Sequence, residues 1–146
     1  RRRIDVHSGV PVHGHDPVNG ATTVRFGDDS TVEVDLVVVP AQWAARRAEH
    51  WRALVMGRAV EGQFTVVAAN RTGSESLGQR DQVITFPGNS LVASAVGEAL
   101  AEGQGEVGHI LGVVDPEIAR KQRVRVPVGK DRRKDLYAMW EAEDPS

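Results

Sequence analysis

Apolar and polar positions change their spacing along this chain, and the changes mark its elements. Residues 1–34 are turn-rich, with Gly9, Pro11, Gly14, Pro17 and Gly20 breaking every run. One strand is predicted there, Thr22-Thr23-Val24-Arg25-Phe26, closed by Gly27-Asp28-Asp29, and no helix. The pattern sharpens at Asp35. Leu36-Val37-Val38-Val39 is a continuous apolar run ended by Pro40, which predicts a strand buried on both faces. A helix is predicted from about Ala44 to Glu61. Trp51, Leu54, Val55 and Ala59 fall at i, i+3, i+4 and i+8, one helical face, and Gly62 stands where a C-cap glycine belongs. Residues 64–69 form a second buried-strand run. Strand, helix and strand with short connections predict a βαβ unit with parallel neighbours and a right-handed crossover.

Beyond this unit the signals are shorter. Residues 70–82 read as a polar loop. Val83–Phe86 and Ser90–Ala93 read as short strands around Pro87-Gly88. Val96-Gly97-Glu98 reads as a hairpin turn into Ala99-Leu100-Ala101, and residues 107–114 as a last strand weakened by Gly108 and Gly112. Pro116 suits the first position of a short helix to about Arg123, with Asp115 as its N-cap. Residues 124–146 read as an extended, charged tail. The expected organisation is a turn-rich segment at 1–34, an α/β domain portion at 35–137 and a tail at 138–146.

Composition narrows the class. The chain has 146 residues, 40% of them apolar and 26% charged, which fits one globular domain. A formal charge of -2 argues against a general attraction to nucleic acid or to acidic membrane, and no apolar run approaches bilayer length. The opening Arg1-Arg2-Arg3 has no apolar core behind it, so a secretory signal is not expected and a cytoplasmic location is. A chain that opens on Arg rather than Met is expected to be a fragment or a processed product. There are no cysteines, which removes disulfides, thiolate metal ligands and a thiol nucleophile from this chain. No cofactor is expected.

Candidate chemistry is sparse. Gln42 and Trp43 follow a buried strand at its C-terminal end, where open α/β folds bind ligands, so they are candidates for a substrate pocket. Trp43 has an equally good reading as a lid on the sheet. His50 is a third pocket candidate, although a histidine on a helix face is more often bonded within the fold. Glu61 ends a helix, where a carboxylate opposes the dipole, and calls for a partner such as Arg58 or Arg71. Asn70 and Arg71 close the second buried strand and read as structural. His7, His13 and His15 could meet on one strand face, but lack a further ligand at clear spacing, so no metal site is expected. Gly88-Asn89-Ser90-Leu91-Val92 lacks the context of a serine nucleophile elbow. Residues 120–135 hold eight basic residues against two acidic ones, without interleaved aromatics. A solvated tail or subunit contact is the expected reading, not nucleic-acid binding.

Several blocks together carry a resemblance. Val39-Pro40-Ala41-Gln42-Trp43, His50-Trp51, Arg58-Ala59-Val60-Glu61 and Asn70-Arg71-Thr72-Gly73 stand in order within residues 35–73. They are followed by the Gly88-Asn89-Ser90 strand, the Gly97-Glu98 turn and Arg132-Arg133-Lys134-Asp135-Leu136-Tyr137. This series resembles the C-terminal half of a carbon–nitrogen hydrolase domain of the nitrilase/amidase superfamily. The Val-Pro-Ala-x-Trp and His-Trp forms look most like ω-amidase-like members, which hydrolyse small amides of dicarboxylic acids. The resemblance implies a four-layer α-β-β-α sandwich of which this chain supplies the second half, a small amide as substrate, and homo-oligomers. It also implies a cysteine nucleophile, a lysine and a glutamate. The cysteine belongs upstream of the strand at 36–39, where this chain has none, and the faint match to the lysine stretch offers Arg1, Arg2 and Arg3 instead. No catalytic residue is therefore assigned, and the chain alone is expected to be inactive. The alternative is a non-catalytic remnant or paralogue that serves as a protein-interaction module. Gly62 and Ala95 depart from the family's usual Asn and Pro, which should weaken a helix cap and loosen a turn.

Overall fold

The structure, a computed structural model, describes residues 12–18, 21–26, 31–77, 82–131, 133, 135 and 136. Three strands precede the first buried run: β1 (Val12–Val18), β2 (Ala21–Phe26) and β3 (Thr31–Val34), an antiparallel sheet in sequence order. Only β2 was predicted from the pattern. β1 contains His13, Gly14, His15 and Pro17, residues that punctuate a sequence but still tolerate pairing along one edge.

The centre of the molecule is a four-stranded sheet in the order β4-β5-β8-β9. β4 (Leu36–Ala41) and β5 (Thr65–Asn70) are parallel neighbours in continuous register from Leu36↔Thr65 to Ala41↔Asn70. Helix α1 (Ala48–Gly62) connects them, so the expected strand–helix–strand unit is present. The helix starts later than its pattern suggested, because a 3-10 turn over Ala45–Arg47 takes up the first residues. β8 (Leu91–Ala93) and β9 (Ala99–Glu102) extend the sheet as antiparallel strands. The turn between them is tied by Ser94, whose hydroxyl accepts from the amides of Val96 and Glu98 at 3.4 and 3.1 Å, so Ala95 does not leave it loose.

The core lies between α1 and one face of this sheet. Trp51, Val55 and Ala59 pack on Phe64, Val66, Ala68, Leu91 and Ala93, with Val37, Val39, Ala41, Trp43 and Met56 around them. Leu54 does not join this stripe and is 49% exposed. At about 100° per residue it lies about 100° from the centre of the Trp51–Val55–Ala59 line, too far round to reach a sheet this narrow. Gly62 is likewise not the cap. The left-handed residue is Gln63, φ 52°, whose amide bonds back to the carbonyls of Ala59 and Val60. Gly62 closes the last turn, where a Cβ would overlap the ring of Phe64.

Two further differences from the expected elements matter for the site. Residues 72–77 and 82–87 pair as a hairpin, β6 (Thr72–Leu77) and β7 (Gln82–Pro87), although the first half reads as polar loop. Thr72, Ser74 and Ser76 line one side of β6 and Gly73 and Glu75 the other, and none of them is buried, so there is no apolar alternation to read. Residues 107–114 form no strand, and cross the sheet as extended coil. At the C-terminal side, α2 (Pro116–Arg125) begins on Pro116 with the Asp115 carboxylate accepting from the Glu117 amide at 2.9 Å, as its sequence predicts. A short α3 (Val128–Asp131) follows inside the region read as extended tail.

α2 is fastened to the start of β4. Asp35 accepts from Arg120 at 2.9 Å and from Arg123, and Arg123 also donates to the Gln63 carbonyl at 2.7 Å. Gln63 returns a bond from its amide to the Val126 carbonyl at 2.7 Å. Arg123 is 4% exposed, so part of the basic run is an internal clasp rather than a solvated face.

Candidate functional site

The C-terminal ends of β4 and β5 meet around Asn70. Its side-chain oxygen accepts from the Trp43 amide at 2.7 Å, and its nitrogen donates to the carbonyls of Trp43 (3.2 Å) and Gly88 (2.7 Å). The Asn70 amide donates to the Ser90 hydroxyl at 3.1 Å. One buried side chain therefore ties the loop after β4 to the turn before β8. An amide is suited to this: it offers an acceptor and two donors in fixed geometry, and all three are used. Arg71 continues the tie through its backbone, donating to Ala41 at 3.0 Å and accepting from Gly88 at 2.9 Å.

Two tryptophans brace the same loop. The Trp43 indole donates to the Arg47 carbonyl at 2.6 Å, and the Trp51 indole donates to the Asn89 carbonyl at 2.8 Å. Their ring centroids lie 5.9 Å apart with planes tilted by 37°. Asn89 sits at φ 53°, a left-handed backbone that aims its carbonyl at Trp51. Trp43 packs against the core and stands just beyond the C-terminal end of β4.

The remaining candidates separate. Gln42 is exposed and lies beside Arg71, whose guanidinium is 3.4 Å from the Gln42 side-chain oxygen and 2.6 Å from Glu75. The same guanidinium stands over the Phe86 ring, 4.5 Å from its centroid. His50 is exposed on the first turn of α1 and makes no hydrogen bond among the described residues. Arg58 and Glu61 pair at 2.7 Å on the solvent side of α1, away from the Asn70 cluster, so Glu61 takes Arg58 rather than Arg71 as its partner. His7 lies outside the described residues, and His13 and His15 fall on β1. Among the described residues no group of three or more His, Cys, Asp or Glu is placed to hold a metal ion, and no helix is long and apolar enough to cross a membrane.

Glu75 and Phe86 were not singled out from the sequence, and Asn89 and Ser90 entered only as parts of the Gly88-Asn89-Ser90 motif. A Pro87-Gly88-Asn89 turn was visible, but that its carbonyls would serve Asn70 and Trp51 depends on the β5–β8 pairing, which no local signal encodes. Chemically, the cluster is a rigid frame. Among the described residues the Ser90 hydroxyl bonds the backbone of Asn70, and the cluster offers no nucleophile paired with a base.

A family model for carbon-nitrogen hydrolases matches residues 30–124. This chain belongs to the carbon–nitrogen hydrolase family. Over 108 residues it is 35% identical to a 2-oxoglutaramate amidase of Bacillus subtilis, covering 74% of this chain and 39% of the relative. It is 33% identical to the omega-amidase YafV of Yersinia enterocolitica, covering 71% of this chain and 39% of that protein. Among solved structures, the amidase of Nesterenkonia sp. AN1 matches with a TM-score of 0.54 and 27% identity over 73% of this chain and 35% of that one. That structure shows an acetamide moiety added covalently at the active-site cysteine. The α/β architecture is thus that of a carbon–nitrogen hydrolase, and this hydrolase-family chain spans about two-fifths of the curated relatives it matches.

Proposed function

We propose that this chain is the C-terminal half of an ω-amidase-like domain, which hydrolyses small amides of dicarboxylic acids when the domain is whole. The observation that carries this reading is the Asn70 frame. It holds the Trp43 backbone, next to Gln42, beside the C-terminal ends of two parallel strands, a position where α/β folds bind their ligands, and this supports Gln42 and Trp43 as pocket candidates. The ω-amidase and 2-oxoglutaramate amidase relatives support the substrate class.

Taken alone, the chain is an inactive portion. In the family's chemistry a thiolate attacks the amide carbon, ammonia leaves, and water then cleaves the thioester to the acid. This chain has no cysteine to carry the acyl group. The test is ammonia release from 2-oxoglutaramate and other small amides, measured against a buffer blank. No release is expected from the chain alone. Turnover that follows the protein through repurification overturns the reading.

A further inference from the structure

Arg71 is held more firmly than an exposed ion pair requires. Its backbone donates to Ala41 and accepts from Gly88, which pins the residue between the ends of β4 and β7. Its guanidinium lies over Phe86, 4.5 Å from the ring centroid, and Phe86 is itself buried. Nη1 donates to Glu75 at 2.6 Å and stands 3.4 Å from the Gln42 side-chain oxygen. The stacking and the Glu75 bond together set the plane and the direction of the group. Nε and Nη2 form its other edge, and neither makes a hydrogen bond among the described residues. The side chain keeps 34% of its surface exposed, so solutes can reach it. The 3-10 turn at Ala45–Arg47 lies beside β7. It brings Arg46 and Arg47, both exposed and without an ion pair among the described residues, to the same end of the sheet.

An Nε–Nη2 edge presents parallel N–H groups at the spacing of a carboxylate's oxygens, the fork with which arginine makes bidentate bonds. A guanidinium has donors enough for a carboxylate at each edge. Resting on the reading of this chain as part of an ω-amidase-like domain, we propose that the Nε–Nη2 edge of Arg71 binds the free carboxylate of the dicarboxylic acid amide. Such a substrate is an amide at one end and an anion at the other, so a site that selects it needs a fixed cation away from the reacting carbon. Arg71 stands beside Gln42, next to Trp43, at the C-terminal ends of the parallel strands β4 and β5, where α/β folds bind ligands. In this arrangement Glu75 holds the guanidinium in place, and Arg46 and Arg47 offset its negative charge nearby. An amide without the acid end leaves the fork unfilled and should be a poor ligand.

The test titrates the full chain with glutarate, which has the substrate's acid end and no C–N bond to hydrolyse. Binding is followed by calorimetry and by the Arg71 side-chain Nε–H signal in NMR. Saturable binding that shifts this signal is expected. Glutaramide, the neutral diamide, should bind at least about tenfold more weakly, and Arg71→Gln should weaken glutarate by a similar factor, as a charge-assisted bidentate bond is lost. Arg71→Lys keeps the charge and the stem over Phe86 but not the fork, and should fall between the two. Arg58→Gln, on the solvent side of α1, should bind as the unaltered chain does. No saturable binding of glutarate, equal binding of glutaramide, or binding unchanged in Arg71→Gln overturns the proposal. Arg71-dependent glutarate binding that 2-oxoglutaramate does not displace contradicts the ω-amidase reading and leaves the carboxylate site standing. Displacement by 2-oxoglutaramate that is indifferent to Arg71 overturns the proposal and leaves the ω-amidase reading standing.

Discussion

One strand shows both states of the central sheet. Along β4, Val37, Val39 and Ala41 pack toward α1, while Leu36, Val38 and Pro40 alternate with them and remain exposed. The side chains on the two sides are of the same kind. What differs is what stands opposite: α1 brings Trp51, Val55 and Ala59 to one face, and among the described residues the other carries a strap, residues 107–114, at its β9 end. A continuous apolar run predicts burial on both faces, and β4 meets that prediction on one.

The largest effect should fall on the covered face. Trp51→Ala removes a ring that is 4% exposed and its bond to Asn89, and should cost about 3–5 kcal/mol in denaturant unfolding. A cost near zero would mean that the two faces do not differ. Asn70→Ala should cost about 2 kcal/mol, because the Trp43 amide and the Gly88 carbonyl lose their partner. It should also raise the mobility of Trp43, read from its fluorescence anisotropy.

Adjacent helix positions sharpen the contrast further. Val55→Ala should cost about 2 kcal/mol, at about 0.8 kcal/mol per buried methylene with a small cavity term. Leu54→Ala should cost under about 0.5 kcal/mol despite the larger deletion, since Leu54 faces water. Equal losses would put Leu54 back on the buried stripe. The smallest effect belongs to Arg47→Ala, which is expected to be silent. The side chain is exposed, and the group that Trp43 uses is the Arg47 backbone carbonyl, which alanine keeps.

These residues also show what was legible in the sequence. The βαβ unit was, because β-branched runs and a Trp51–Val55–Ala59 spacing are local patterns set by burial. The Asp115-Pro116 helix start and the Gly97 hairpin were legible for the same reason: capping and turn chemistry act within a few residues. The β6 strand was not, since it has no buried face to impose alternation. The strand expected at 107–114 is instead a strap, with Gly108 and Gly112 free of the side chains that would pin a register. The Asn70 frame was visible only as a motif. That one amide would join residues 43, 70 and 88 follows from strand order, which lies in contacts far apart along the chain.

The absence of cysteine offers the most direct test of the two-faced sheet. Val38→Cys and Val66→Cys each place a single thiol in an otherwise thiol-free chain, one at a position 62% exposed and the other at a position 2% exposed. Their maleimide reaction rates should be measured at concentrations low enough to keep the chain monomeric. The thiol at 38 is expected to react like that of an unfolded peptide, and the thiol at 66 on the order of a thousandfold more slowly, since it must wait for local opening. Equal rates, or a slower reaction at 38, would contradict the assignment of a covered and an open face.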